Sequence, residues 1–111
     1  MQENYPELAA LVQKLNDYYA LEIDLEYIAE IYGESIVASI AEQPEELEKK
    51  VMWLLEKGFE ETTSDICNRY GILLCQWQED FVAGFEKLIG KLGADYAEQI
   101  AEDLSLLEEL M

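Results

Sequence analysis

Apolar residues recur at three- and four-residue spacing along almost the whole chain. The first such segment places six of them on one side of a helix: Leu8, Leu11, Val12, Leu15, Tyr18 and Tyr19. Side chains at these spacings share a helical face, which then packs on a core. Pro6 suits a first helical position, because its missing N–H needs no partner there. The pattern predicts a first helix from about Tyr5 to Ala20.

The same spacing predicts further helices. Asp24 is a suitable N-cap for a second helix that runs to about Gln43. Gly33 lies at its middle and weakens it, so a break at this glycine is the alternative. A segment with eight apolar positions from Leu74 to Leu92 has the broadest apolar face and is predicted to be the central helix. The remaining predicted helices cover residues 44–58, 63–70 and 94–110.

Strand signals are missing from the sequence. No stretch alternates apolar and polar residues over a useful length, and no Asn-Gly or Asp-Gly pair marks a hairpin. There is no repeat, linker or low-complexity tract. A length of 111 residues fits one domain with its own core. We therefore expect a single all-α domain over residues 1–111, a compact bundle of five to six helices with short loops.

Charge narrows the function classes. The chain has 25 Asp and Glu residues against 7 Lys and Arg, a net charge of −18. Such a surface repels phosphate, so we expect no binding of nucleic acid and none of an anionic membrane surface. The start of the chain has neither a basic region nor an apolar stretch, so no secretory signal is predicted. Two cysteines, Cys67 and Cys75, are expected to be reduced, largely buried thiols of a cytoplasmic protein.

The residues needed for catalysis or metal binding are sparse. The chain has no histidine, which is the commonest general base and zinc ligand. It also lacks a Cys-x-x-Cys pair, an EF-hand loop and a glycine-rich phosphate loop. Adjacent acids in an acidic chain, such as Glu60 and Glu61, carry no specificity for acid–base work. We expect no enzyme activity, no cofactor and no metal.

Acidic residues and tyrosines are concentrated in the first part of the chain. Residues 1–48 hold 12 acids and one base, and five of the seven tyrosines lie before residue 33. Tyrosine gives rigid contact area, and surrounding carboxylates attract a basic partner. The predicted partner-binding residues lie between positions 17 and 34: Asp17, Tyr18, Tyr19, Glu22, Asp24, Glu26, Tyr27, Glu30 and Glu34.

Other interpretations of these residues are open. Glu26, Glu30 and Glu34 fall on one predicted helical stripe, which can equally be a solvated face that aids solubility. Tyr18, Tyr19 and Tyr32 lie on apolar stripes, so packing at the core edge is predicted for them, while Tyr27 is predicted to be exposed. A second acidic stripe, without a base in its segment, is the alternative binding face: Asp95, Glu98, Glu102 and Glu109.

In size, helicity, charge and clustering of acids with tyrosines, the chain resembles bacterial toxin-immunity proteins. The segment Asp17-Tyr18-Tyr19 is similar to the tyrosine pair that helical immunity proteins of DNase colicins use with acidic residues to bind their toxin. The proline that follows the pair in that family is missing here. The resemblance implies a stoichiometric inhibitor of a basic nuclease toxin of the colicin or contact-dependent-inhibition kind, whether an RNase or a DNase.

Two other functions compete with this one. The alternative from another class is a general interaction module: an acidic nucleic-acid mimic or a helical adaptor that binds a basic host protein. A mimic binds many basic proteins, whereas an immunity protein selects one toxin. The third interpretation is a homo-oligomer that pairs its apolar faces and uses its charge for solubility only.

Overall fold

The structure, a computed structural model, describes residues 4–111, so residues 1–3 of the predicted domain lie outside it. All regular structure in this range is helical. Residues 4–111 form seven α-helices and two 3₁₀ helices. In chain order they are α1 Pro6–Tyr19, α2 Leu25–Tyr32, α3 Glu34–Glu42, α4 Pro44–Glu56, α5 Thr63–Arg69, a first 3₁₀ helix Gly71–Cys75, α6 Gln78–Leu92, α7 Tyr96–Glu102 and a second 3₁₀ helix Leu104–Leu110.

The prediction of an all-α fold is confirmed, but the number of helices was too low because three predicted helices are divided. Gly33, with φ +92° and ψ 159°, separates α2 from α3 in a conformation that L-residues rarely adopt. The extended backbone at Gln76 and Trp77 separates the first 3₁₀ helix from α6. Asp103 ends α7, and its carboxylate accepts the Ser105 N–H at 3.1 Å to begin the second 3₁₀ helix.

The prediction that residues 74–92 form the central helix was wrong, because α4 has that position. This helix packs on α1, α3, α5, α6 and the first 3₁₀ helix, whereas α6 packs mainly on α4 and α7. Leu47, Val51 and Leu54 of α4 are fully buried. The Cα radius of gyration is 13.3 Å, close to the value of about 13 Å expected for a compact chain of this length.

An aromatic cluster joins α4 to α6 and α7. The ring centroids of Phe81 and Phe85 of α6 lie 4.9 Å apart, and the centroid of the Trp53 ring lies 5.6 Å from that of Phe85. Phe59 extends the cluster to Tyr96, whose hydroxyl donates to the Lys57 carbonyl. This cluster fixes the C-terminal helices, while α1 and α2 carry the acidic segment described next and α5 packs beside it.

The two cysteines differ in exposure. Cys67 is fully buried, as predicted, and burial raises its pKa to about 12. Cys75 was predicted to be buried as well but is exposed, because it ends the first 3₁₀ helix at the surface. Among residues 4–111, no helix combines the length and the apolar character needed to cross a membrane.

Candidate functional site

The segment from Ala20 to Asp24 connects α1 to α2 without regular structure, yet its backbone is held in place. The Leu21 N–H donates to the Asn16 carbonyl at 3.0 Å. The next three N–H groups donate to side-chain oxygens: Glu22 to Ser64 Oγ at 2.8 Å, Ile23 to Asn16 Oδ1 at 2.9 Å and Asp24 to Asn68 Oδ1 at 2.8 Å. Four consecutive backbone donors are therefore satisfied, which fixes the positions of Glu22 and Asp24.

Two asparagine side chains each form two hydrogen bonds to the backbone of this connection. Asn68 on α5 accepts from the Asp24 N–H and donates to the Glu22 carbonyl at 2.8 Å. Asn16 on α1 does the same for Ile23, donating to its carbonyl at 3.0 Å. Each amide thereby imitates the paired bonds of a neighbouring strand. Leu21 and Ile23 are buried between these contacts, so Glu22 and Asp24 point outward from a fixed backbone.

The Asp24 side chain also caps the helix that follows it. Its Oδ1 accepts the N–H groups of Glu26 and Tyr27 at 3.0 and 3.2 Å, so it is the N-cap of α2, as predicted. The carboxylate therefore stabilises the helix start while it also lines the surface. Of the predicted binding acids, this one has a structural function that a substitution would remove.

The structure brings five of the predicted residues into one surface. A concavity of about 380 Å³ between α1 and the start of α2 is lined on one side by Gln13 and Asn16 and on the other by Glu22, Asp24 and Glu26. Gln13 also lines an adjoining concavity with Asp17 and Tyr18, and its amide donates to Asp17 at 3.0 Å. We call this surface, formed by Asp17, Tyr18, Glu22, Asp24 and Glu26, the N-terminal acidic face.

The neighbouring tyrosines Tyr18 and Tyr19 differ in exposure. The prediction that Tyr18 packs at the core edge was wrong: it is 78% exposed, because it lies on the flank of α1, about a quarter turn from the buried Leu8, Val12 and Leu15. Tyr19 is half-buried and packs against the core, as predicted. Its ring meets that of Tyr18 edge to face, with centroids 4.7 Å apart. Tyr18 is therefore an exposed aromatic ring supported by an anchored one.

The remaining predicted residues lie beyond this face. Glu30 is exposed one turn after Glu26 on α2 and extends the acidic surface along that helix. Glu34 does not continue the stripe, because Gly33 ends α2 before it. Its carboxylate accepts the Asn4 side-chain amide at 3.2 Å. Tyr27 is 39% exposed, which confirms its predicted exposure.

Tyr32 ends α2 on the inner side. It is half-buried, as predicted, and its hydroxyl donates to the Arg69 carbonyl. Desolvation raises the pKa of its phenol, and the neighbouring Tyr70 and Tyr27 raise it further. This contact ties α2 to α5, the helix that also supplies Ser64 and Asn68 to the connection before α2.

The second acidic stripe is less uniform than predicted. It is divided between α7 and the second 3₁₀ helix. Asp95 accepts from the Gln99 amide at 2.7 Å, and Glu109 pairs with Lys91 of α6 at 3.2 Å. The segment 93–111 contains no base, as the sequence shows, but Lys91 precedes it and offsets part of its charge. Glu98 and Glu102 remain exposed carboxylates on α7.

Sequence reasoning missed the residues that position the acidic face. Asn16, Ser64 and Asn68 have no charge and lie far apart in the sequence, up to 52 positions, so periodicity gives no sign of their contact. A weak signal exists for Asn16 alone, since asparagine in a last helical turn often bonds to the following backbone. Within the described range, no group of three or more acids or cysteines is arranged to hold a metal ion.

Comparison of the chain with protein-family models, with curated proteins and with solved structures finds no match.

Proposed function

We propose that this chain is an immunity protein, which binds a cognate basic nuclease toxin through the N-terminal acidic face and neutralises it. The observation that carries the proposal is the combination, on one fixed surface, of the exposed Tyr18 ring with the carboxylates of Asp17, Glu22 and Glu26. The resemblance in size, helicity and charge supports the same class.

The rigidity of the surface favours tight binding. Ordering a loop on association costs free energy, and a loop whose backbone donors are already satisfied avoids much of that cost. Residues 21–24 form such a loop. Tyr18 projects from the last turn of α1 beside it and offers a large aromatic surface, a side-chain type enriched among residues that dominate binding energy.

Charge supplies the attraction. A nuclease is basic where it holds phosphate, and the chain carries −18. Complementary fields of this kind raise association rates to about 10⁸–10⁹ M⁻¹s⁻¹ at low salt. The mechanism is stoichiometric inhibition without a chemical step: the acidic face occupies the phosphate-binding surface of the toxin or covers its approach.

The test is capture of partners from a lysate of the source cell with three immobilised proteins. One is the unaltered chain and one is Asp17→Asn/Glu22→Gln/Glu26→Gln, which leaves the Asp24 cap in place. The third is Glu98→Gln/Glu102→Gln/Glu108→Gln, a control with the same change of charge at three exposed acids near the other end of the chain.

We expect the unaltered chain and the control to capture one dominant basic nuclease and to retain it at moderate salt. The first triple variant should not retain this nuclease. A broad set of basic proteins, lost together as salt rises and equally from both variants, would instead indicate a nucleic-acid mimic or unspecific attraction. A partner lost only from the control would assign binding to α7 and contradict the proposed face.

A further inference from the structure

A pocket of about 230 Å³ lies between α3, α4 and the first 3₁₀ helix, and none of its residues belongs to the N-terminal acidic face. Lys50 of α4 lines it and is 0% exposed. Among the described residues the Lys50 Nζ has no hydrogen-bond partner. On its inner side the ammonium lies 5.7 Å from the centroid of the Phe81 ring. A lysine this buried normally has an anionic partner.

A carboxylate oxygen of the same pocket is also without a partner. Glu46 lies one turn before Lys50 on α4, and its Oε2 is buried with no hydrogen bond from residues 4–111. Its other oxygen, Oε1, pairs with the exposed Lys49 at 3.3 Å instead of with Lys50. A buried donor and a buried acceptor of opposite charge thus lie in one pocket without meeting each other.

The charged side chains of the pocket favour a ligand that carries both a positive and a negative charge. An anion alone would meet Lys50 but also the carboxylates of Glu42 and Glu46, and a cation alone would meet the Lys50 ammonium. A molecule with both charges satisfies both orphaned groups. The rest of the lining carries no charge. Ile40, Leu74 and Trp77 give it apolar surface, and the uncharged polar residues are Ser39, Gln43, Gln76 and Cys75, whose thiol donates to the Ile36 carbonyl at 3.7 Å.

The size and the opening also fit a small molecule. A cavity of about 150 Å³ is large enough to bind benzene, so this pocket can hold a ligand somewhat larger. Trp77, which is 67% exposed, lines the pocket and can cover a ligand with its indole ring. Desolvation lowers the pKa of Lys50, and a ligand carboxylate beside it would oppose that change.

We propose that this pocket binds a free amino acid with an apolar side chain. The Lys50 ammonium pairs with the α-carboxylate, Glu46 Oε2 accepts from the α-ammonium, and the side chain lies against Leu74 and Trp77. The site does not depend on the proposed immunity function, since it uses other residues on other helices.

The test is an NMR titration of the full chain, uniformly labelled with ¹⁵N, that follows the indole N–H of Trp77. The ligands are glycine, leucine and phenylalanine, up to about 10 mM, above the millimolar Kd of weak specific complexes. Two compounds that match leucine but carry one charge are the controls: 4-methylpentanoate and 3-methylbutan-1-amine. We expect a saturable shift with leucine or phenylalanine, and at least about tenfold weaker binding of each singly charged compound, or about 1.4 kcal/mol.

Variants separate the site from general attraction. Lys50→Met is expected to abolish the shift, and Lys87→Met, which removes an equal charge from the exposed side of α6 away from the pocket, to leave it unchanged. If Lys50→Met fails to fold, Glu46→Gln replaces it and should weaken binding about tenfold by removing the charge opposite the ligand ammonium. The proposal is overturned if no amino acid gives a saturable shift, if the singly charged compounds bind equally well, or if Lys87→Met has the same effect as the pocket variant.

Discussion

The Asn68 side chain provides the sharpest test of how the acidic face is built. Its two hydrogen bonds, both 2.8 Å, hold the Glu22 carbonyl and the Asp24 N–H. A net contribution of about 0.5–1.5 kcal/mol per bond gives about 1–3 kcal/mol for the pair. Both bonds lie in exposed surroundings, where water replaces part of what is lost. We therefore expect Asn68→Ala to lower the free energy of unfolding by about 1–2 kcal/mol.

Two variants accompany this substitution. Asn68→Asp keeps an acceptor for the Asp24 N–H but cannot donate to Glu22, so we expect it to lose stability as well and to place a further negative charge beside the loop. Gln13→Ala removes another surface amide of the same region, whose one side-chain hydrogen bond within residues 4–111 goes to Asp17. We expect its stability to stay within about 0.5 kcal/mol of the unaltered chain.

The assay combines urea unfolding with hydrogen exchange of the backbone amides. In Asn68→Ala the Asp24 amide should exchange about 5–30 times faster, the factor that corresponds to 1–2 kcal/mol. The Leu54 amide, in the buried α4, should show only the change that global stability requires. Unchanged exchange at residues 22–24 would refute the reasoning, because the loop would then be held by something other than the asparagine clamp.

Three further predictions concern backbone conformation and burial. Gly33→Ala should lower the free energy of unfolding in denaturant by about 1–3 kcal/mol, since φ at Gly33 is +92°. Gly90→Ala, inside α6 with free space around it, should raise that free energy by up to about 1 kcal/mol. Equal effects of the two substitutions would contradict the role of Gly33. Burial raises the pKa of Cys67 from 9.0 to about 12, so the unfolded chain loses its proton first and stability should fall between those pH values. At pH 10 the loss is about 1.4 kcal/mol, and Cys67→Ala should lack it; a pH profile parallel to that of the unaltered chain would contradict this assignment. Lys50→Met should raise the free energy of unfolding at pH 7 by about 1–3 kcal/mol in ligand-free buffer, because it removes an unpaired buried charge. Lys49→Met should change the free energy of unfolding by less than about 0.5 kcal/mol. A loss of stability in Lys50→Met would show that the ammonium is already compensated.

The helices were predictable where local signals act alone. Pro6 and Pro44 begin helices, Asp24 caps one, and the apolar spacing between them predicts helical structure throughout. The division at Gly33 was less predictable, because a glycine inside a periodic segment is compatible with a continuous helix that is only weakened. The tertiary position of α4 at the centre could not be inferred from the breadth of its apolar face, since helix order in a bundle depends on long-range contacts.

The candidate site was predictable in composition and not in geometry. Acids at positions 17–30 are exposed because burying an ionised carboxylate costs free energy. The exposure of Tyr18 depends on which side of α1 turns toward α4, and a tyrosine at the edge of an apolar stripe fits either side. The pocket at Lys50 gave no sequence signal, because a lysine that follows another lysine in a charged segment normally marks a solvated surface.

The central claim is that the N-terminal acidic face neutralises a basic nuclease, and titration of nuclease activity tests it most directly. The nuclease captured by the unaltered chain would be assayed with increasing amounts of that chain and of Asp17→Asn/Glu22→Gln/Glu26→Gln. We predict that the unaltered chain abolishes activity at one equivalent and that the triple variant requires an excess, with association about tenfold slower at low salt. Activity that persists with excess unaltered chain, or equal inhibition by both proteins, would contradict the claim.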